Sequence, residues 1–373
     1  MYQIQDLRIQ KEGILMSNLS CPRVDIGGQA VMEGVMMRGP KSMAIAVRRP
    51  DKTIVVKYST FTPLSEKHPW MGKPFIRGMV NMATMLSYGL STLESSTQML
   101  GILDEEPTRF EKWLAKKLGK GVDKVVMAMA MVLAVILALG LFMAIPAGVE
   151  NILKNAGMPV LGYTLIGGVV KIAVLIGYML FAGSVPDVKR TFQYHGAEHK
   201  TVYCHEANKP LTPENAQEFS RLHPRCGTAF LLIVMCISIL LFLVLNILVP
   251  ISNYFVRLLF HLAMLPIVAG VSYEVLKGLA HWESPLSHVL RWPGLQMQRL
   301  TTRTPDRSML ECAIVAMNAA LYGLPAHAKR TPEGWAILHT YDESDPDYVP
   351  PVPEQTAEDA AEPVQESSEA CAS

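Results

Sequence analysis

The chain has 373 residues, half of them hydrophobic, with a mean hydropathy of +0.23. Its 34 basic and 33 acidic side chains leave a formal net charge of +1, and no specific nucleic-acid binding is expected. The length would accommodate two or three domains, but the apolar residues are gathered into a few runs. That clustering points to an α-helical polytopic membrane protein with a small N-terminal β-rich module.

Residues 1–23 carry charges and lack the continuous apolar stretch of a secretory signal, so they read as a flexible N-terminus. Residues 24–60 form the β-rich module: GGQAVMEGVMMRGP is punctuated by glycine, and MAIAVRRPDKTIVVKYST places two strand-like runs around a Pro-Asp-Lys turn. Gly27, Gly28, Gly34 and Gly39 lack the spacing of a phosphate-binding loop and are expected in tight turns. Residues 61–123 read as an amphipathic helical region. From Phe75 to Leu103 a Met- and Leu-rich pattern, interrupted by Arg77, Asn81, Ser87, Ser91 and Glu94, predicts a helix with its apolar face toward the core rather than a membrane interface. A basic stretch from Arg109 to Lys124 follows and would attract anionic membrane lipids.

Residues 124–275 form the membrane region, with four predicted spans. Val125 to Val149 contains no charged residue, which suffices for one crossing, since a helix needs about 20 apolar residues. Val160 to Phe181 is the second, broken by Lys171; Gly162, Gly167, Gly168 and Gly177, with Gly183 just beyond, suggest close helix packing. The uncharged run from Cys226 to Val256 is too long for one crossing, and Pro250, Ser252 and Asn253 supply a turn within it. The fourth span runs from about Tyr254 to Val275 and carries Arg257, His261 and Glu274. Residues 276–340 read as a cytoplasmic or interfacial helical segment, with Trp282, Arg291, Trp292 and Arg299 at the headgroup layer and a helix from Ser308 to Tyr322 capped by Ser308. Residues 341–373 are acidic, contain no Lys or Arg, and read as a disordered tail.

The loop between the first two spans holds only Lys154, whereas residues 184–227 hold Lys189, Arg190, Lys200, Lys209, Arg221 and Arg225. Basic short loops stay inside, so the 184–227 loop and both termini are expected on the cytoplasmic side. The cysteines form no C-x-x-C pair and mostly fall on that reducing side, which makes them ligands or packing residues rather than disulfides.

That basic loop contains TFQYHGAEHKTVYCHE, where His195, Glu198 and His199 form an H-x-x-E-H pattern. Residues four apart share one helix face, so both imidazoles could hold one cation while Glu198 acts on bound water, the inverted form of the zinc-protease signature. Further donors follow: Cys204, His205 and Glu206 at once, then His223 and Cys226 in LHPRCGT. The competing reading has these histidines capping helices or bonding to backbone carbonyls or lipid headgroups, and whether Cys204 and His205 belong to a site stays open.

The blocks GGQAVMEGVMMRGP, YHGAEHKTVYCHE, LHPRCGT, GVSYEVLK and PGLQMQRLTTRTPD together resemble the YqhQ-like bacterial membrane proteins, a family of unknown function described as predicted metal-dependent enzymes. The resemblance implies a bacterial cytoplasmic membrane and a zinc or other divalent metal held by His195, His199, His223 and Cys226, with Glu33, Arg38 and Glu274 as secondary candidates. It implies no substrate. Two functions follow from the residues, ahead of transport, for which four spans with one embedded Lys and one His offer few polar groups unless the chain oligomerises. One is a metal-dependent hydrolase with Glu198 as general base. The other is a non-enzymatic scaffold or accessory factor, in which a metal-ordered loop docks a cytoplasmic protein complex, a translocon or a ribosome; four donors from the protein would close the site and favour this second reading. The oligomeric state is not set by the sequence.

Overall fold

The computed structural model describes residues 26–101, 122–224, 226–249, 251, 253–281, 284–325 and 328–338. The expectations for the N-terminal segment, most of the basic stretch, Trp282 and the acidic tail lie outside these residues.

Strands β1 (Gly27–Val31), β2 (Gly34–Arg38), β3 (Ser42–Arg48) and β4 (Ile54–Thr60) form an antiparallel meander. Glu33 takes a left-handed φ of 49° in the tight β1–β2 turn. Lys52 does so, at 71°, in the expected Pro-Asp-Lys turn, where the Asp51 carboxylate accepts from the Thr53 amide at 2.9 Å. The sheet is not completed within residues 24–60. Two short strands from the far end of the chain, β5 (Lys329–Arg330) and β6 (Ala336–Leu338), extend it to six in the order β1-β2-β3-β4-β6-β5. Neither short strand carries enough alternating residues to signal itself in sequence.

Strand alternation sends Val35, Met37, Ala44, Ala46, Ile54 and Val56 to one face and Met36, Ile45, Val47 and Val55 to the other. The second face meets Met99 and Leu100 at the end of helix α1 (Ile76–Leu100). The first packs on the last described helix, Arg307–Tyr322, in which every residue from Met309 to Ala320 is buried. That helix is therefore the centre of the core and not an interfacial element. Its cap is Asp306 and not Ser308: Asp306 has extended backbone and its carboxylate accepts from the Met309 amide at 2.9 Å, while Ser308 is already within the first turn. Glu311 is held by Arg48 at 2.7 Å.

Helix α1 reverses the expected orientation. Its small residues Gly78, Thr92, Ser95 and Ser96 face the protein, whereas Met79, Met82, Met85, Leu86, Leu90 and Leu93 are exposed. Close approach decides this, because a Cβ at Gly78 would stand 2.7 Å from the Tyr273 side chain. Large apolar residues on the outer face suit contact with lipid.

Helix α2 (Val122–Leu139) continues through a π-helical turn, Gly140–Ala144, into α3 (Ile145–Asn155). This rod, α4 (Val160–Ala182), α6 (Gly227–Leu248) and α7 (Tyr254–His281) supply, among the described residues, four stretches long and apolar enough to cross a membrane. The long apolar run splits where expected, with the Asn253 side chain accepting from the Phe255 and Val256 amides as α7 begins. Among the span glycines, Gly168 lets α4 approach Ile239 of α6, while Gly177 faces open space.

Between α4 and α6 the chain forms α5 (Pro186–Glu206) and a one-turn helix, Pro213–Gln217. After α7, α8 (Pro285–Thr301) packs along α6 and returns the chain to the sheet-bearing end, where α9 (Arg307–Tyr322) enters the core. Helix α5 packs on the sheet side, touching β1, β2, α9 and the one-turn helix.

Candidate metal centre

The H-x-x-E-H segment is helical within α5, despite its glycine. Gly196 is there because the connector between α8 and α9 crosses α5 at that point: a Cβ on it would collide with the Arg303 carbonyl oxygen. The Arg303 amide donates to the Phe192 carbonyl at 2.8 Å across the same crossing. The glycine thus gives up roughly 1 kcal/mol of helix propensity and admits a backbone that a side chain would exclude.

This crossing aims the first imidazole. His195 Nδ1 lies 2.9 Å from the Thr301 carbonyl oxygen, and its Nε2 lies 3.2 Å from Cys226 Sγ. One turn on, His199 Nδ1 meets the Arg221 carbonyl oxygen, and its Nε2 is buried with no hydrogen-bond partner. A carbonyl can only accept, so each Nδ1 carries a proton, and in the neutral ring each Nε2 is the atom free to bind a cation. His195, His199 and Cys226 each offer a donor atom, all within 4.8 Å of one another. A carbonyl behind each imidazole is the arrangement that orients metal-ligating histidines, and a cation between them would satisfy the orphaned His199 Nε2. The residues fit a metal that prefers nitrogen and sulfur donors.

Glu198 stands beside this group, with one carboxylate oxygen 3.9 Å from His195 Nε2. It is 7% exposed and accepts from the Gly28 amide; burial pushes its carboxyl above the usual carboxylate range, against the opposing fields of His195 and His223. Gly28 makes this approach feasible, since a Cβ there would come within 2.8 Å of Glu198 Cγ. Its use is close approach rather than the tight turn expected of it.

His223 is a neighbour of the trio, with its ring centroid 5.8 Å from that of His199. Its Nε2 lies 3.3 Å from the Glu206 carboxylate. Its backbone is clasped by Gln298, which accepts from the His223 amide and donates to its carbonyl, both at 2.7 Å. Cys204 turns into the hydrophobic core, its thiol directed at the Pro210 carbonyl at 3.4 Å and pushed up by burial. Lys200 is also buried and donates to the Gln217 and Phe219 carbonyls at 2.7 and 2.6 Å, which folds the segment after α5 back over the helix. Among the described residues Cys204, Cys226, Cys236 and Cys312 are thiols outside any disulfide.

The secondary candidates act elsewhere. Glu33 forms a two-pronged ion pair with Arg190, tying the β1–β2 turn to the first half of α5. Arg38 lies over the rings of Phe61 and Tyr88, at 4.5 and 5.0 Å. Glu274 takes Arg77 of α1 at 2.5 Å and the Phe75 amide at 3.2 Å, rather than Lys277, His261 or the metal loop. Sequence reading missed the Thr301 and Arg221 carbonyls and the Gln298 clasp. Backbone acceptors have no residue signature, although Gly196 and Gly28 marked the close approaches.

A family described as "Protein of unknown function (DUF1385)" matches residues 73–322, and the chain belongs to it. The chain is also 33% identical over 301 residues to the "Uncharacterized protein YqhQ" of Bacillus subtilis (strain 168), covering 79% of this chain and 92% of that protein. No solved structure matches it.

Proposed function

We propose that this multi-pass protein of the bacterial cytoplasmic membrane binds zinc through His195, His199 and Cys226 and acts as a metal-dependent hydrolase at the cytoplasmic face. The observation that carries the metal is the pair of carbonyl-backed imidazoles converging on one thiol, with His199 Nε2 buried and unpartnered. Three protein donors match catalytic rather than structural zinc sites, which keep a fourth position open. When bound there, zinc supplies a Lewis acid and makes a water acidic enough to react near neutral pH.

Each side chain then has a definite task. Thr301 and Arg221 fix the two rings through their carbonyls, so the ligands need little reorganisation. Glu198 holds or releases a proton at its carboxylate. Burial raises its proton affinity above that of an ordinary carboxylate, the direction a general base needs, and Gly28 anchors it. The substrate class we favour is a peptide or lipid-linked group near the inner leaflet. The cytoplasmic placement rests on the basic residues of the loop.

A second reading, a scaffold whose metal knot orders a docking surface, draws support from burial. Glu198 and His199 are 7% and 2% exposed, and α5 is pinned by three separate segments of the chain. Metal content separates these readings from a metal-free protein: about one zinc per chain in purified protein, lost in His195→Ala and Cys226→Ala, supports the site. Glu198→Gln then divides enzyme from scaffold. Under the hydrolase reading it keeps the metal and abolishes turnover in a hydrolase screen; loss of metal in this variant would make Glu198 a ligand and overturn its role as base.

A further inference from the structure

The membrane spans hold a second buried group of ionisable side chains, at the end of the bundle opposite the His/Cys centre. Glu150 of α3, Lys171 of α4, and Arg257 and His261 of α7 come from three of the four spans. Glu150, Arg257 and His261 are 7%, 3% and 6% exposed. In each, a side-chain polar atom is buried with no hydrogen-bond partner: Glu150 Oε2, Arg257 Nε and His261 Nε2. Arg257 donates through Nη2 to the Ala147 carbonyl at 3.2 Å. Lys171 Nζ stands over the Phe242 ring at 5.1 Å, and His261 stacks on the same ring at 4.0 Å. The third span adds Asn246, which donates to Thr164 of α4 at 3.2 Å. Glu150 forms no ion pair within contact distance among the described residues, while Lys171 and Arg257 stand on the two helices that pack against α3.

The helix geometry is built to place this carboxylate. Before the π-helical turn, residues 128–138 of α2 are exposed around the whole helix; after it, Pro146, Ala147 and Glu150 are buried. A π-helical insertion rotates the following residues about the axis and recurs at functional sites. Gly167 of α4 completes the seat, since a Cβ there would collide with Glu150. Ionisable groups inside a membrane are expensive unless paired or hydrated, and these are packed close without being paired. Toward the His/Cys end the cluster is closed by an apolar layer of Leu175, Leu232 and Met297, with Phe142, Met179 and Met235 packed against it.

We propose that this cluster is a one-sided proton-binding site, in which Glu150 exchanges a proton with water on the side of the short 156–159 turn. The unsatisfied atoms are the acceptors and donors that entering water would use, and the apolar layer prevents the proton from continuing across. The site gives the protein a means of sensing acidity on the face opposite its metal centre, and does not depend on a metal being bound.

The test is infrared difference spectroscopy of the full chain in lipid nanodiscs during a pH step. Wild type should show a protonated-carboxyl band appearing on acidification, and Glu150→Gln should lose it. Lys171→Met removes a neighbouring cation, so the band's titration midpoint should move to higher pH; this variant also keeps the test alive if Glu150→Gln fails to fold. In sealed vesicles of uniform orientation the band should respond to acid on the 156–159 side alone. Superimposable wild-type and Glu150→Gln spectra, an unmoved midpoint in Lys171→Met, or an equal response from both sides would each overturn the proposal.

Discussion

The two buried polar regions of this molecule are built on opposite plans. Around the His/Cys centre, side chains are fixed by backbone: the Thr301 and Arg221 carbonyls hold the imidazoles, Gln217 and Phe219 hold Lys200, and Gln298 clasps His223. Both regions leave buried atoms unpartnered, His199 Nε2 in the first and Glu150 Oε2, Arg257 Nε and His261 Nε2 in the second, but in the span cluster only Arg257 takes a backbone carbonyl among the described contacts. The difference follows from what each environment offers. A domain with loops can bring free carbonyls to a side chain, whereas helices in lipid have already used nearly all of theirs. The first region is therefore preorganised for a ligand of fixed geometry, and the second for a species as adaptable as water or a proton.

This contrast is most directly broken at the ligands. His199→Ala or Cys226→Ala should reduce metal content from about one zinc per chain to none, measured by elemental analysis. Retention of metal in both would move the site elsewhere. Next in size is the backbone crossing. Gly196→Val drives a side chain into the Arg303 carbonyl and should cost at least ~1–3 kcal/mol, read as a lowered thermal unfolding midpoint in detergent. An unchanged midpoint would show that the crossing is loose and that His195 is not oriented by it. Gln298→Ala leaves the buried His223 amide and carbonyl without their partner and should cost ~1–3 kcal/mol by the same measurement, with no comparable loss for nearby exposed positions.

A smaller effect comes from Glu198. Its carboxyl binds a proton more tightly in the fold than in the unfolded chain, so in metal-free protein its contribution is complete below the ordinary carboxylate range and is lost as pH rises through the elevated value. Glu198→Gln should flatten the fall of the unfolding midpoint above that range, and divalent metal should restore stability to the wild type. A wild-type midpoint that rises with pH without metal would contradict this sign. Smallest is Arg77→Ala. The pair with Glu274 is about a quarter exposed and screened by solvent, so its loss should lower the unfolding midpoint least of these changes and leave metal content unchanged.

The comparison also explains what could be read in advance. The H-x-x-E-H spacing and the Cys226 loop were legible because ligand residues have distinctive types and helical spacing is short-ranged. The span cluster was not, although Lys171, Arg257 and His261 stand out within apolar runs. Nothing in their spacing shows that they meet, and Glu150 falls beyond the uncharged stretch that defined the first span. Helix α1 misled for a related reason, since an amphipathic pattern identifies two faces without saying whether solvent, lipid or protein meets each.

By itself the sequence determined the membrane class, the four spans and the β-rich module, and it named His195, His199 and Cys226, which the structure brings together, along with His223, which stands beside them. These depend on local hydropathy, strand alternation and residue chemistry, which are properties of contiguous segments. The tertiary structure alone decided that residues 307–338 complete the sheet and its core, that the connector after α8 supplies the carbonyl behind His195, and that four charged or titratable groups share the bundle interior. Each of these joins parts of the chain far apart in sequence. Such contacts are fixed by which surfaces fit closely enough to pack, and glycines at 28, 167 and 196 are the visible trace of that requirement.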